Sequence, residues 1–150
     1  MNRLGMRMTL AAGLLIAPGP ARPSDTGGAP APIVRLDEIR SAHPIAEGES
    51  FTTQELLRGG GVSSHLVQVR TRLRPQLHRA HEELAYLISG RGVFVVGDRA
   101  YPVKAGALML IPRGVVHSYQ AMEPSTVLAI FDPPFDPEDR VFVDAPATSP

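Results

Sequence analysis

The segment from Pro75 to Gly92 reads PQLHRAHEELAYLISGRG, with His78, His81, Glu82 and Glu83 inside six positions and an apolar run directly behind them. Imidazole and carboxylate are donors that hold zinc, iron or manganese. A further imidazole, His117, follows the Pro112-Arg113-Gly114 turn. The 150 residues contain no cysteine, so thiolate metal sites and disulfide frameworks are excluded and His, carboxylate and amide oxygen are the ligands on offer. Side chains two apart on a strand share a face, which puts Gln76 with His78, while a turn at Arg79-Ala80 resets the alternation before Glu83. If the strands close into a barrel, their ends converge. His78, Glu83 and His117 then offer two imidazoles and a carboxylate to one side of an ion, with the Gln76 amide oxygen as a possible fourth ligand and positions left open for water or substrate.

The elements that must position these groups read as strands. FTTQELL, from Phe51, alternates, the three glycines Gly59 to Gly61 turn the chain, and VSSHLVQVRTRL, from Val62 to Leu73, alternates again as the second arm of a hairpin. Leu84–Ile88, Val93–Val96, Arg99–Val103, Ala107–Ile111, Val115–Met122 and Thr126–Phe131 follow, divided by Gly, Pro, Asp and Ser. That is about eight short strands at even spacing, preceded by one helical turn at LDEI. The pattern predicts an all-β sandwich or barrel of the jelly-roll kind. The tail FDPPFDPEDRVFVDAPATSP is too rich in proline for a central strand and should pack across the outside.

At the N-terminus, Arg3 and Arg7, the apolar stretch Met8–Ala17 and the small residues around Ala21 make the three parts of a secretory signal over residues 1–21. Residues 22–32, RPSDTGGAPAP, read as a flexible leader, and the folded domain spans 33–145. The expected location is periplasmic or secreted, with no membrane association after cleavage. Lys plus Arg equals Asp plus Glu at 15 each, which argues against a nucleic-acid partner. Cleavage after Ala21 would remove two arginines and no carboxylate, leaving the chain slightly acidic.

The spacing of these residues resembles the two linked motifs of the cupin superfamily, in a small single-domain form. Gly106, Pro112, Gly114 and His117 match the second motif, with Ala121 where asparagine is usual. His78, Glu83 and Gly90 match the first, which departs at Arg70, in place of its first glycine, and at Gln76, in place of its first histidine. The resemblance covers about residues 50–132 and implies a double-stranded β-helix, the jelly-roll barrel of that family. It also implies a divalent metal ion, iron, manganese or zinc, held by Gln76, His78, Glu83 and His117. A Gln, His, Glu, His set has a precedent in the phosphomannose isomerase branch.

Around the metal, His81, Tyr86, Met109 and Tyr119 are expected to line the pocket or its rim. Glu82 reads as a solvated charge, His43 and His65 as structural or exposed, and Arg70, Arg72 and Arg74 as an outer face. Three functions fit. One is a metal-dependent oxygenase of the non-haem iron or manganese type acting on a small organic molecule; the second is a non-catalytic module binding a small molecule or the metal; the third is an isomerase-like cupin. Edge strands give a motive for a homodimer.

Overall fold

Period-two burial divides the chain between two facing sheets. The computed structural model describes residues 33–144, so the expected signal and leader lie outside the described residues. One short helix, α1 (Leu36–Ala42), precedes ten strands: β1 (Phe51–Arg58), β2 (Ser63–Val69), β3 (Arg72–His78), β4 (Glu82–Ser89), β5 (Arg91–Val96), β6 (Arg99–Lys104), β7 (Leu108–Ile111), β8 (His117–Ala121), β9 (Ser125–Asp132) and β10 (Arg140–Phe142). One sheet runs β1-β2-β9-β4-β7 and the other β10-β3-β8-β5-β6, every neighbouring pair antiparallel. Inward residues alternate along β4, where Glu83, Ala85 and Leu87 are buried and Glu82 and Tyr86 exposed. Their apolar members join Val69, Ile111, Phe94, Ala129 and Phe131 in one core between the sheets. Burying a side chain such as Leu87 contributes roughly 1.5–3 kcal/mol, and the interdigitated inner faces make this a jelly-roll barrel.

Two turns bear on the site. Gly114 has φ +71°, a conformation that costs other residues dearly, and its N–H donates to the carbonyl of His78 at 2.6 Å. That bond ties the turn before His117 to the end of β3. Gly90 has φ +95°, and a Cβ there would lie 2.3 Å from Ser125 Oγ, so position 90 excludes a side chain on two grounds.

The structure corrects three strand expectations. VSSHLVQVRTRL is not one strand: the chain bends at Arg70-Thr71, leaving β2 in one sheet and β3 in the other. Alternation persists across the bend, which is why the pattern concealed it. Arg70 holds the corner by donating to the carbonyls of Ile45, Ala46 and Glu49. The split and the added β10 raise the count to ten. The tail, expected on the outside, does supply an edge strand, since β10 pairs with β3 at the sheet margin. It also sends Phe135 into the core.

Candidate metal centre

Three strands from both sheets carry the site. Gln76 and His78 sit on the inner face of β3, and Gln76 stands directly opposite His117 of β8 in the antiparallel register. The chain then crosses to the other sheet through residues 79–81 and enters β4, which projects Glu83 back toward them. Glu83 Oε2 lies 3.3 Å from His78 Nε2 and 3.6 Å from His117 Nε2. Gln76 Nε2 lies 3.3 Å from His117 Nε2. The four side chains expected to converge do so, and all are buried, His78 at 1% exposure.

The geometry can be tested against an ion. Two donors each about 2.1 Å from one metal stand about 3.0 Å apart at right angles and about 3.4 Å apart at the tetrahedral angle. The 3.3 and 3.6 Å separations suit that spacing. His117 Nδ1 faces the carbonyl of Val115 at 3.2 Å, so its proton belongs there and its Nε2 lone pair faces Glu83. Burial, opposed by Glu83, holds the His117 imidazole below its ordinary range and so favours the neutral form that ligates metal. His78 carries the strongest sign: its buried Nδ1 has no hydrogen-bond partner, and its buried Nε2, though 3.3 Å from Glu83 Oε2, is not aligned for a hydrogen bond with it. An imidazole always has one donor and one acceptor or two donors to satisfy, and burial without partners costs about 1–3 kcal/mol per group. The residues therefore fit a divalent ion. To join them, the Gln76 amide would rotate to present its oxygen where its Nε2 now faces His117 at 3.3 Å.

Two of the residues expected around the pocket are placed elsewhere. Met109 and Tyr119 line, with Gln76, Glu83 and His117, an internal cavity of about 30 Å³. Such a space holds a water or two. Tyr119 donates to or accepts from Ser125 Oγ at 2.8 Å, and burial pushes its phenol up. Tyr86, by contrast, is not in the pocket; it points outward on β4, 42% exposed, because the alternation that brings Glu83, Ala85 and Leu87 inside sends position 86 out. His81 is not a rim residue. It is buried at 2% and bonded through Nδ1 to the Asp139 carboxylate, while Nε2 accepts from the Asp136 N–H at 3.0 Å.

Asp139 was not singled out by the sequence, yet its carboxylate also accepts from the backbone N–H groups of Arg79 at 3.0 Å and Ala80 at 2.9 Å. Burial would raise its pKa, but the bonds from Ala80 and His81 outweigh that and hold it below the usual carboxylate range. It fastens the crossing between His78 and Glu83. The only sequence signal for it was the Asp-Pro-Glu-Asp run, which marks a capped turn at Pro137–Asp139 and nothing more. His65 is buried against Phe131 and Phe135, the structural member of the two expected alternatives, and His43 is exposed.

The comparisons with known proteins agree with this fold. The family model described as "Cupin domain" matches residues 65–131. The L-ectoine synthase of Vibrio cholerae is 30% identical over 109 residues, covering 68% of this chain and 79% of that one. Among solved structures, the ectoine synthase from P. lautus superposes with a TM-score of 0.59 at 21% identity, covering 77% of this chain and 92% of that one. KdgF from Halomonas sp. superposes at 0.57 and 20% identity, covering 64% and 91%. A jelly-roll barrel, a matching domain model and a relative sharing most of its length together mean that the chain belongs to the cupin superfamily, as a small cupin-type domain.

Proposed function

We propose that this protein is a metal-dependent enzyme acting on a small polar organic molecule, with a divalent ion held by Gln76, His78, Glu83 and His117. The observation that carries the reading is the unpartnered His78 ring inside the cluster of Glu83 and His117. When bound, the ion would act as a Lewis acid toward a substrate oxygen. The chain supplies the rest. Gln76 and His117 are held in register by β3 and β8, the Gly114 bond to His78 fixes the approach of the two motifs, and Asp139 pins the crossing to Glu83. Leu73, Phe94 and Val127 wall the cavity and keep bulk water from the reacting face.

A reaction without dioxygen is favoured, because a relative at 30% identity is an L-ectoine synthase. The oxygenase is the second reading, supported by the two-imidazole, one-carboxylate donor set. The cavity of about 30 Å³, which holds only a water or two, supports a third, the module that binds the metal without turnover. Iron, manganese and zinc suit the mixed nitrogen and oxygen donors. The basic, apolar and small-residue succession over residues 1–21 supports export. Leu108 and Leu110, exposed on edge strand β7 beside Tyr86, support a homodimer.

The test is a substrate screen on metal-reconstituted protein, following product formation together with oxygen consumption. Turnover without oxygen uptake supports the proposal. Stoichiometric uptake would move the assignment to the oxygenase, and saturable binding without turnover to the module.

A further inference from the structure

The two imidazoles of the candidate centre are held by different means. His117 has Nδ1 on the carbonyl of Val115 at 3.2 Å, the kind of bond that fixes the ring of a metal-ligating histidine. His78 has no such bond, since its Nδ1 is buried without a partner. The outer torsion of a histidine side chain is broad, so without that bond packing must choose the plane of the ring.

Three rings stand almost perpendicular to His78. Phe131, Phe135 and His81 lie 5.4, 5.8 and 5.9 Å from it between centroids, at 82°, 85° and 87°. These distances fall in the range, about 4.5–7 Å, over which the edge of one ring is attracted to the face of another. All three rings are buried. Phe135 is itself fastened: its N–H donates to Ser63 Oγ at 2.8 Å, its carbonyl accepts from Arg58 at 2.8 Å, and the Arg140 guanidinium lies 4.9 Å over its ring. His81 is held at Nδ1 by Asp139 and at Nε2 by the Asp136 N–H. On the other side of the centre, Phe94 lies 6.4 Å from His117 and is inclined to it by only 37°, beside a ring that the Val115 carbonyl already orients.

We propose that Phe131, Phe135 and His81 form a cage that positions His78 as a ligand, and that Phe135, from the tail after β9, is the positioning residue that completes it. The cage sets the plane of the imidazole, and Glu83 Oε2, 3.3 Å from Nε2, selects the edge that faces the ion. This role rests on the reading of Gln76, His78, Glu83 and His117 as a metal centre. It makes the two imidazoles unequal: removing the ring beside His78 frees a ligand, whereas removing the similarly buried ring of Phe94 beside His117 does not.

Comparison of Phe135→Leu with Phe94→Leu in the full chain tests the cage, because both variants lose a core ring and only one loses a cage member. In cobalt-loaded protein, Phe135→Leu should shift the visible absorption bands and weaken cobalt binding about tenfold, the loss that follows removal of a group supporting a metal ligand. Phe94→Leu should leave the bands in place. In chelated protein, NMR should show one sharp set of His78 ring signals in the wild type and in Phe94→Leu, and a broadened or doubled set in Phe135→Leu, with His117 sharp throughout. Should Phe135→Leu fail to fold by its melting curve, Phe135→Met, which keeps an apolar side chain and drops the ring, should show the same changes. Bands and His78 signals that match the wild type in the Phe135 variant overturn the proposal. Equal disturbance in Phe94→Leu overturns it too, since the effect is then general loosening of the core. A wild type that takes up no cobalt contradicts the metal reading instead, and the His78 signals of the metal-free variants then decide the cage alone.

Discussion

Replacing Asp139 with alanine should destabilise the fold and loosen the metal centre, although residue 139 is in neither motif. Its carboxylate accepts from the N–H groups of Arg79 and Ala80 and from His81 Nδ1. Arg79 and Ala80 are exposed, so water can replace the carboxylate at their N–H groups, at a net loss of about 0.5–1 kcal/mol each. His81, at 2% exposure, has no such substitute, and its unpaired N–H adds about 1–3 kcal/mol. The total is about 2–5 kcal/mol. For a domain of this size about 4 °C of melting temperature accompanies each kcal/mol, so the midpoint should fall by roughly 8–20 °C. Asp139→Asn, which keeps an acceptor without the charge, should lie between. A thermal melt of the two variants, of His81→Ala and of the Asp139→Ala/His81→Ala double variant measures the pair, and the double variant should cost less than the sum of the singles by about 1–3 kcal/mol. Because Asp139 holds the crossing between His78 and Glu83, Asp139→Ala should also weaken metal binding about tenfold, as loss of a supporting hydrogen bond does in other metal sites. A shift below about 2 °C, or additive single effects, would refute the clamp; these bounds are those of ordinary surface substitutions.

Gln76→His exchanges a neutral oxygen donor for imidazole on the same face, and should tighten zinc binding in competition with a chelator; unchanged affinity would mean that residue 76 does not reach the ion. His65 is held below the ordinary imidazole range chiefly by its burial, with Glu55 opposing. The unfolded chain therefore takes up a proton that folded His65 resists, so its contribution is full above about pH 6.5 and is lost as the pH falls below that value. Melting temperatures from pH 8 to pH 5 should fall less steeply in His65→Gln than in the wild type, and equal slopes would contradict the assignment.

Most of the barrel was legible because a half-buried strand writes its inner face at every second residue, as β4 does with Glu83, Ala85 and Leu87. The convergence of the four side chains was legible for the same reason, since Gln76 and His78 share a strand face and the Gly114 turn places His117. What stayed hidden depends on contacts far apart in sequence. His81 looks like a polar turn residue until Asp139 and Asp136, more than fifty positions later, close around it. The bend at Arg70-Thr71 keeps the alternation going while moving the chain to the other sheet, a change that periodicity cannot register. Tyr86 was assigned to the pocket by its aromatic type, although its position, odd to the inward phase of β4, already pointed out. Arg140 and Phe135 lie in a proline-rich tail with no period at all, and only the fold brings them to the barrel.

The most direct measurement is elemental analysis of the full chain purified without added metal or chelator, beside His78→Ala prepared in the same way. The account predicts near one equivalent of iron, manganese or zinc in the wild type and almost none in the variant. Equal metal content in the two, or a metal-free wild type that does not take up any of the three ions on titration, would contradict it.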